Sequence, residues 1–132
     1  MDFGEVNYIA VVLGGVFNMV LGPLWYGPFF GKLWLRLIGK KSEEIESKPW
    51  LFILSFIAAF IAALILALVV QAFGSTGFLS GLLAGLLVWV GFVVTVTLTY
   101  SIFEGPPLSV WLLFVGYQLV IFLVEGGVFA VW

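Results

Sequence analysis

The chain has no cysteine and no histidine, and its single aspartate is the second residue. Those absences exclude disulfides, thiolate chemistry, the common zinc sites and the usual axial ligands of haem. No metal and no cofactor is therefore expected. An enzyme would have to work with glutamates and tyrosines, and no pair of these converges in the sequence, so the protein is read as a non-enzyme. Charge is also scarce: 9% of residues are Asp, Glu, Lys or Arg, against about 25% in soluble domains. Without a basic stripe, nucleic acid is not an expected partner. The N-terminus carries Asp2 and Glu5 rather than a basic region, so the apolar run that follows is expected to be retained rather than cleaved as a signal.

What remains is 64% hydrophobic. A bilayer core about 30 Å thick takes about 20 apolar residues per helix, and four such runs fill residues 1–132 as a single membrane domain. The expected fold is an all-α, four-transmembrane-helix antiparallel bundle, with spans at about 6–24, 49–73, 78–100 and 110–132 and a short interfacial amphipathic helix at about 30–39. Gly22-Pro23 followed by Trp25 and Tyr26 suggests the exit of the first span, with Trp25, Tyr26, Trp34 and Trp50 as interfacial anchors. Pro49 suits a first helical turn. Gly74 to Gly77 forms a tight turn between two spans, and Gly105-Pro106-Pro107 ends the third.

All five cations, Lys32, Arg36, Lys40, Lys41 and Lys48, lie between the first and second spans. The positive-inside rule puts this loop, 30–48, in the cytoplasm and both termini outside a cell membrane that the chain crosses several times. Lys32, Arg36 and Lys40 recur every four residues while Leu33, Trp34, Leu37 and Ile38 fall on another face, as in a helix lying at the membrane surface. After Gly39 the chain turns acidic through Glu43, Glu44 and Glu46. Glu104, in the other loop of that side, either caps the end of the third span or pairs with Lys32 or Arg36.

Small residues recur every four positions in three spans: Ala10, Gly14, Asn18 and Gly22; Ser55, Ala59, Ala63 and Ala67; Gly77, Gly81 and Gly85. Lipid tails are as apolar as leucine, so helices associate through close backbone approach, which such stripes permit. Either helices within one chain or subunits of an oligomer could use them. Among polar groups inside spans, Glu125 stands out, because an ionisable residue near mid-membrane costs about 2.5–3.5 kcal/mol on insertion scales. Gln118 and Asn18 are further intramembrane candidates. These three either cross-link helices by hydrogen bonds, or Glu125 faces a cavity as a proton or substrate site, with Gly126-Gly127 allowing close approach.

Three motifs, LWYGPFFGKLWLRLIG, FEGPPL and GYQLVIFLVEGGVFAVW, together resemble the family of small prokaryotic four-helix membrane proteins known as domain of unknown function 1761. The pattern Trp-Tyr-x-Pro with Phe-x-Lys-x-Trp, Trp25 to Trp34, carries most of the resemblance. It implies a four-span protein of bacteria or archaea with no established activity. Many relatives have a basic residue after Phe-Glu-Gly and a histidine after Gly-Tyr; here those places hold Pro106-Pro107 and Gln118. The leading functional expectation is a structural or accessory subunit, packed in the lipid bilayer as a homo-oligomer or within a larger membrane complex. The alternatives are a small proton- or cation-coupled transporter using Glu125, and a protein binding anionic lipid through Lys32, Arg36 and Lys40.

Overall fold

The computed structural model describes residues 1–45 and 48–132, so Glu46 of the acidic stretch lies outside the described residues. The fold is all-α, with four helices long and apolar enough to cross a membrane: Tyr8–Phe29, Pro49–Ala72, Phe78–Phe103 and Leu108–Val131. Helix α1 (Tyr8–Leu24) begins where the Asn7 side chain accepts the Ala10 amide at 3.2 Å, satisfying one of the first turn's unpaired donors. Pro23 does not end it. The chain passes through one π-helical stretch, Trp25–Phe29, closed by a bond from the Phe30 amide to the Trp25 carbonyl at 2.8 Å. The missing amides of Pro23 and Pro28 are absorbed by this wider turn rather than by a break.

Helix α2 (Gly31–Ile38) follows directly and stops at Gly39, whose φ of 69° is the left-handed cap that glycine favours. Helix α3 (Pro49–Ala72) starts with its proline in the first turn and ends at Gly74, again left-handed at φ 73°. The third span comprises α4 (Phe78–Val88), a π-helical stretch Trp89–Val94, and α5 (Thr95–Phe103). Hydroxyls of Thr95, Thr97 and Thr99 return to the carbonyls of Gly91, Val93 and Thr95, four residues earlier, the usual way a mid-helix threonine finds a partner in apolar surroundings. Helix α6 (Leu108–Val131) completes the bundle.

Helix α6 is the hub, touching α1, α2, α3, α4 and α5, and its closest partner is α4. The reason is glycine. A Cβ on Gly81 would overlap the Gly126 carbonyl, one on Gly126 would overlap the Gly81 carbonyl, and one on Gly85 would overlap that of Phe122. Backbone therefore lies on backbone, where Cα–H groups meet carbonyls. The other stripes also turn inward: Gly14 faces Glu125 and Phe129 of α6, Gly15 faces the Phe60 backbone of α3, and Gly22 faces the Tyr117 hydroxyl. Ala59 and Ala63 are buried. Gly14, Gly22, Ala59, Ala63, Gly81 and Gly85 are thus used within one chain, whereas Ser55 is exposed and a Cβ on Gly77 would meet nothing within 4 Å.

Substituting Gly81 by Ala should lower stability by about 1–3 kcal/mol, the usual cost of overpacking. Gly91→Ala should be neutral or stabilising by up to about 1 kcal/mol, because nothing lies within 4 Å of the added methyl and the helix loses a flexible residue. Unfolding in mixed micelles at rising SDS fraction measures both.

Candidate functional site

The site begins with aromatic residues that the π-helical turn aims inward. Trp25 donates its indole N–H to the Leu113 carbonyl of α6 at 3.0 Å, and its ring lies 4.6 Å from that of Phe30. Tyr26 meets Trp34 edge-on at 5.1 Å and Tyr117 at 6.0 Å. Trp25, Tyr26 and Trp34, expected as anchors at the membrane surface, are half-buried and gathered about α6. Trp50 is the exception, 55% exposed. Helix α2 likewise packs on α6 rather than lying wholly against lipid. Its cationic side chains, Lys32, Arg36 and Lys40, stay exposed.

Tyr117, a polar residue of the fourth span, is the polar centre of the cluster. It is buried, and its hydroxyl lies within bonding distance of both the Asn18 side-chain oxygen and the Asn18 carbonyl, the latter at 2.8 Å. A second polar link ties α5 to α6: the Trp111 indole donates to the Thr97 hydroxyl at 2.9 Å. From the third span, Trp89 donates to the Val115 carbonyl at 2.9 Å, so two indoles from opposite elements reach α6 carbonyls two residues apart. In the loop that follows, the Ser101 hydroxyl donates to the Pro106 carbonyl.

Around this cluster opens a cavity of about 1080 Å³, between the first half of α3 and the α5 end of the third span. Its walls are mainly apolar, including Phe52, Ala58, Ala62 and Phe114, with a polar fringe of Asn18, Tyr26, Ser55, Thr97, Tyr117 and Gln118. Helix α3 is exposed from Leu51 to Ala58, where no other helix covers it. A smaller cavity of about 210 Å³ lies at the opposite end, the end with both termini. It is lined by Glu5, Asn7, Ala10, Ala67, Gln71, Ser75 and Phe129 among others.

Glu125 belongs to neither cavity. It is 4% exposed, and its Oε1 has no hydrogen-bond partner among the described residues. A Cβ built on Gly14 would stand 3.0 Å from that oxygen and 3.0 Å from the tip of the Phe129 ring. The three intramembrane candidates thus separate. Asn18 does cross-link helices, through Tyr117. Gln118 lines the large cavity and makes no side-chain hydrogen bond among the described residues, and Glu125 is buried with its Oε1 unpaired. Glu104 is exposed, and no ion pair with Lys32 or Arg36 forms among the described residues.

A family model described as protein of unknown function (DUF1761) matches residues 9–130. The chain belongs to that family. No curated protein and no solved structure matches it. In this DUF1761 protein the three motifs that carry the resemblance meet in space: Tyr26 and Trp34 from the first, Pro106 from the second, and Tyr117 with Gln118 from the third all line the large cavity.

Replacing Tyr117 by Phe should cost about 0.5–1.5 kcal/mol, the net value of one hydrogen bond, and nearer 0.6 if it behaves as intramembrane bonds do on average. Thr99→Val, which removes an exposed hydroxyl bonded only to its own helix, should change stability by far less. SDS unfolding of the two variants side by side provides the comparison.

Proposed function

We propose that this protein is a non-enzymatic membrane protein that binds an anionic lipid, with the acyl part in the cavity between α3 and α5 and the headgroup against the basic loop. The observation that carries the reading is the cavity itself. Its volume of about 1080 Å³ is at the upper end of ligand sites, which run to about 1,000 Å³, and its wall is mainly apolar with a fringe of polar groups, a lining that suits an amphiphile. Every cation of the chain lies in the loop at that same end of the bundle. Juxtamembrane cations attract anionic lipid by about 1 kcal/mol each. Gly14, Gly22, Gly81 and Gly85 face neighbours inside the bundle, so these glycines do not argue for an accessory subunit over a lipid binder.

The same charge distribution supports placing the basic loop on the cytoplasmic side and both termini outside. Because the chain has no cysteine, single-cysteine labelling is free of background. Thr76→Cys should react with an impermeant thiol reagent on intact cells, and Ser42→Cys only in inverted vesicles. The reverse pattern would invert the topology.

Lipid binding is tested by mass spectrometry of lipid retained through purification. Replacing Lys32, Arg36 and Lys40 together by Gln should reduce retained anionic lipid by at least about tenfold, since three contributions of about 1 kcal/mol each are lost. Ala62→Phe, which fills the cavity, should reduce retained lipid of every headgroup class. Unchanged retention in both variants would remove the proposal.

A further inference from the structure

Two small-residue stripes run in register through the bundle. On α1, Ala10 lines the small cavity at the terminal end, Gly14 lies against Glu125, and Asn18 and Gly22 line the large cavity. On α3, Ala67 lines the small cavity, Ala63 is fully buried, and Ala59 and Ser55 line the large one. Each step of four residues is about 6 Å along the helix. The facing surface of α6 has the same repeat: Tyr117 at the large cavity, then Ile121, Glu125 and Phe129, the last lining the small cavity. Along α6, Glu125 is one helical turn from Phe129 at the small cavity and two from Tyr117 at the large one, while Gly14 and Ala63 on the facing helices are one turn from each cavity. Ile121, 2% exposed, closes it off on the inner side. On the terminal side stands the ring of Phe129, whose edge meets Gly14 beside the carboxyl.

We propose that Glu125 is a proton-exchange site that opens to the small terminal-side cavity when the Phe129 ring moves, and that Ile121 insulates it from the large cavity. A metal cation would lack ligands at this point. The Glu125 Oε1, buried without a partner, lies against Gly14, and no cluster of three or more metal-binding side chains occurs among the described residues. A proton needs one oxygen. With the proton on, the carboxyl is neutral and tolerates the seal. With the proton off, the carboxylate has no cation to pair with, since all five lie in residues 32–48, so it must meet water. The proton then passes from the carboxyl to a water of the small cavity, leaving carboxylate and hydronium.

Few other titratable groups lie near Glu125. Between Pro49 and Ala72, and between Phe78 and Val88, neither α3 nor α4 contains one. On α6 the nearest is Tyr117, engaged with Asn18 two turns away, and on α1 it is Tyr8, whose hydroxyl donates to the Phe3 carbonyl. Glu5 lines the small cavity. The site holds whether or not the large cavity takes lipid.

Infrared difference spectroscopy of the protein in nanodiscs, titrated from acid to alkaline pH, tests this directly. Wild type should show a protonated-carboxyl C=O band that bleaches as pH rises, absent in Glu125→Gln. Glu125→Asp should retain a pH-sensitive band at a shifted frequency, which assigns it even if the Gln variant folds poorly. After transfer to heavy water, Phe129→Ala should accelerate the deuterium shift of that band by about tenfold or more, because exchange of a sealed group follows the population of its open form. Ile121→Val should leave the rate near wild type. A wild-type band that ignores pH, one that persists in Glu125→Gln, or one whose exchange is unchanged in Phe129→Ala would overturn the proposal.

Discussion

The contact of α4 with α6 through bare backbone sets the rotation of α6 about its own axis. Gly81 and Gly85 let two backbones meet at Gly126 and Phe122 with no side chain between them. Once Gly126 faces α4, the residue before it is turned by about 100° at 3.6 residues per turn. That residue is Glu125, and the turn points it toward α1 at Gly14. The same rotation carries Tyr117 and Ile121 onto the α1 side. In a solvent that gives helices no hydrophobic reason to associate, this close contact decides what the other spans can touch.

The large cavity follows from where contacts are missing. Helix α3 packs on α1 and, less extensively, on α6, but its first turns diverge and stay exposed from Leu51 to Ala58. The third span hugs α6 closely in α4 and more loosely in α5. A π-helical stretch separates the two halves, and such stretches recur at functional sites because the extra residue per turn re-aims side chains. Here it begins at Trp89, which is pinned to the Val115 carbonyl. The first span does the same at Trp25 with Leu113. Two tryptophans thus hold the middle of α6 at the places where their own helices change pitch, and the space left between α3 and α5 is the cavity.

Much of this was legible in the sequence, for identifiable reasons. Apolar runs of membrane length, the glycine turn before Phe78 and the Gly-Pro-Pro before Leu108 fix four helices and their order, because length and backbone sterics leave little choice. Stripes with a period of four mark packing faces but not which neighbour they meet, since Gly14 and Gly81 look alike as letters. Pro23 suggested an exit, yet the helix continues, because a π-helical turn accommodates the missing amide and no local pattern distinguishes it from a break. Tyr117 and Asn18 are each legible as polar residues within apolar spans, but not as partners: they are 99 residues apart, a separation that periodicity does not span. Cavities are invisible to periodicity for a related reason: they are made by neighbours that stop short.

Two buried side-chain atoms lack a partner among the described residues, Ser75 Oγ and Glu125 Oε1, and they differ in kind. Ser75 borders the small cavity, where an unmet hydroxyl is modest in cost and water is at hand. Glu125 is deeper, and packing alone gives no reason for an acid there, since glutamine has nearly the same shape and would carry no charge. The partner residue answers the question of purpose. A methyl at position 14 would come within 3.0 Å of the carboxyl oxygen, so the glycine of α1 makes room for the acid of α6. Gly14 and Glu125 form one unit: a space cleared in the most closely packed layer of the bundle for a group that packing does not need. Such a space is consistent with chemistry at the carboxyl, and the smallest chemistry that fits it is the gain and loss of a proton.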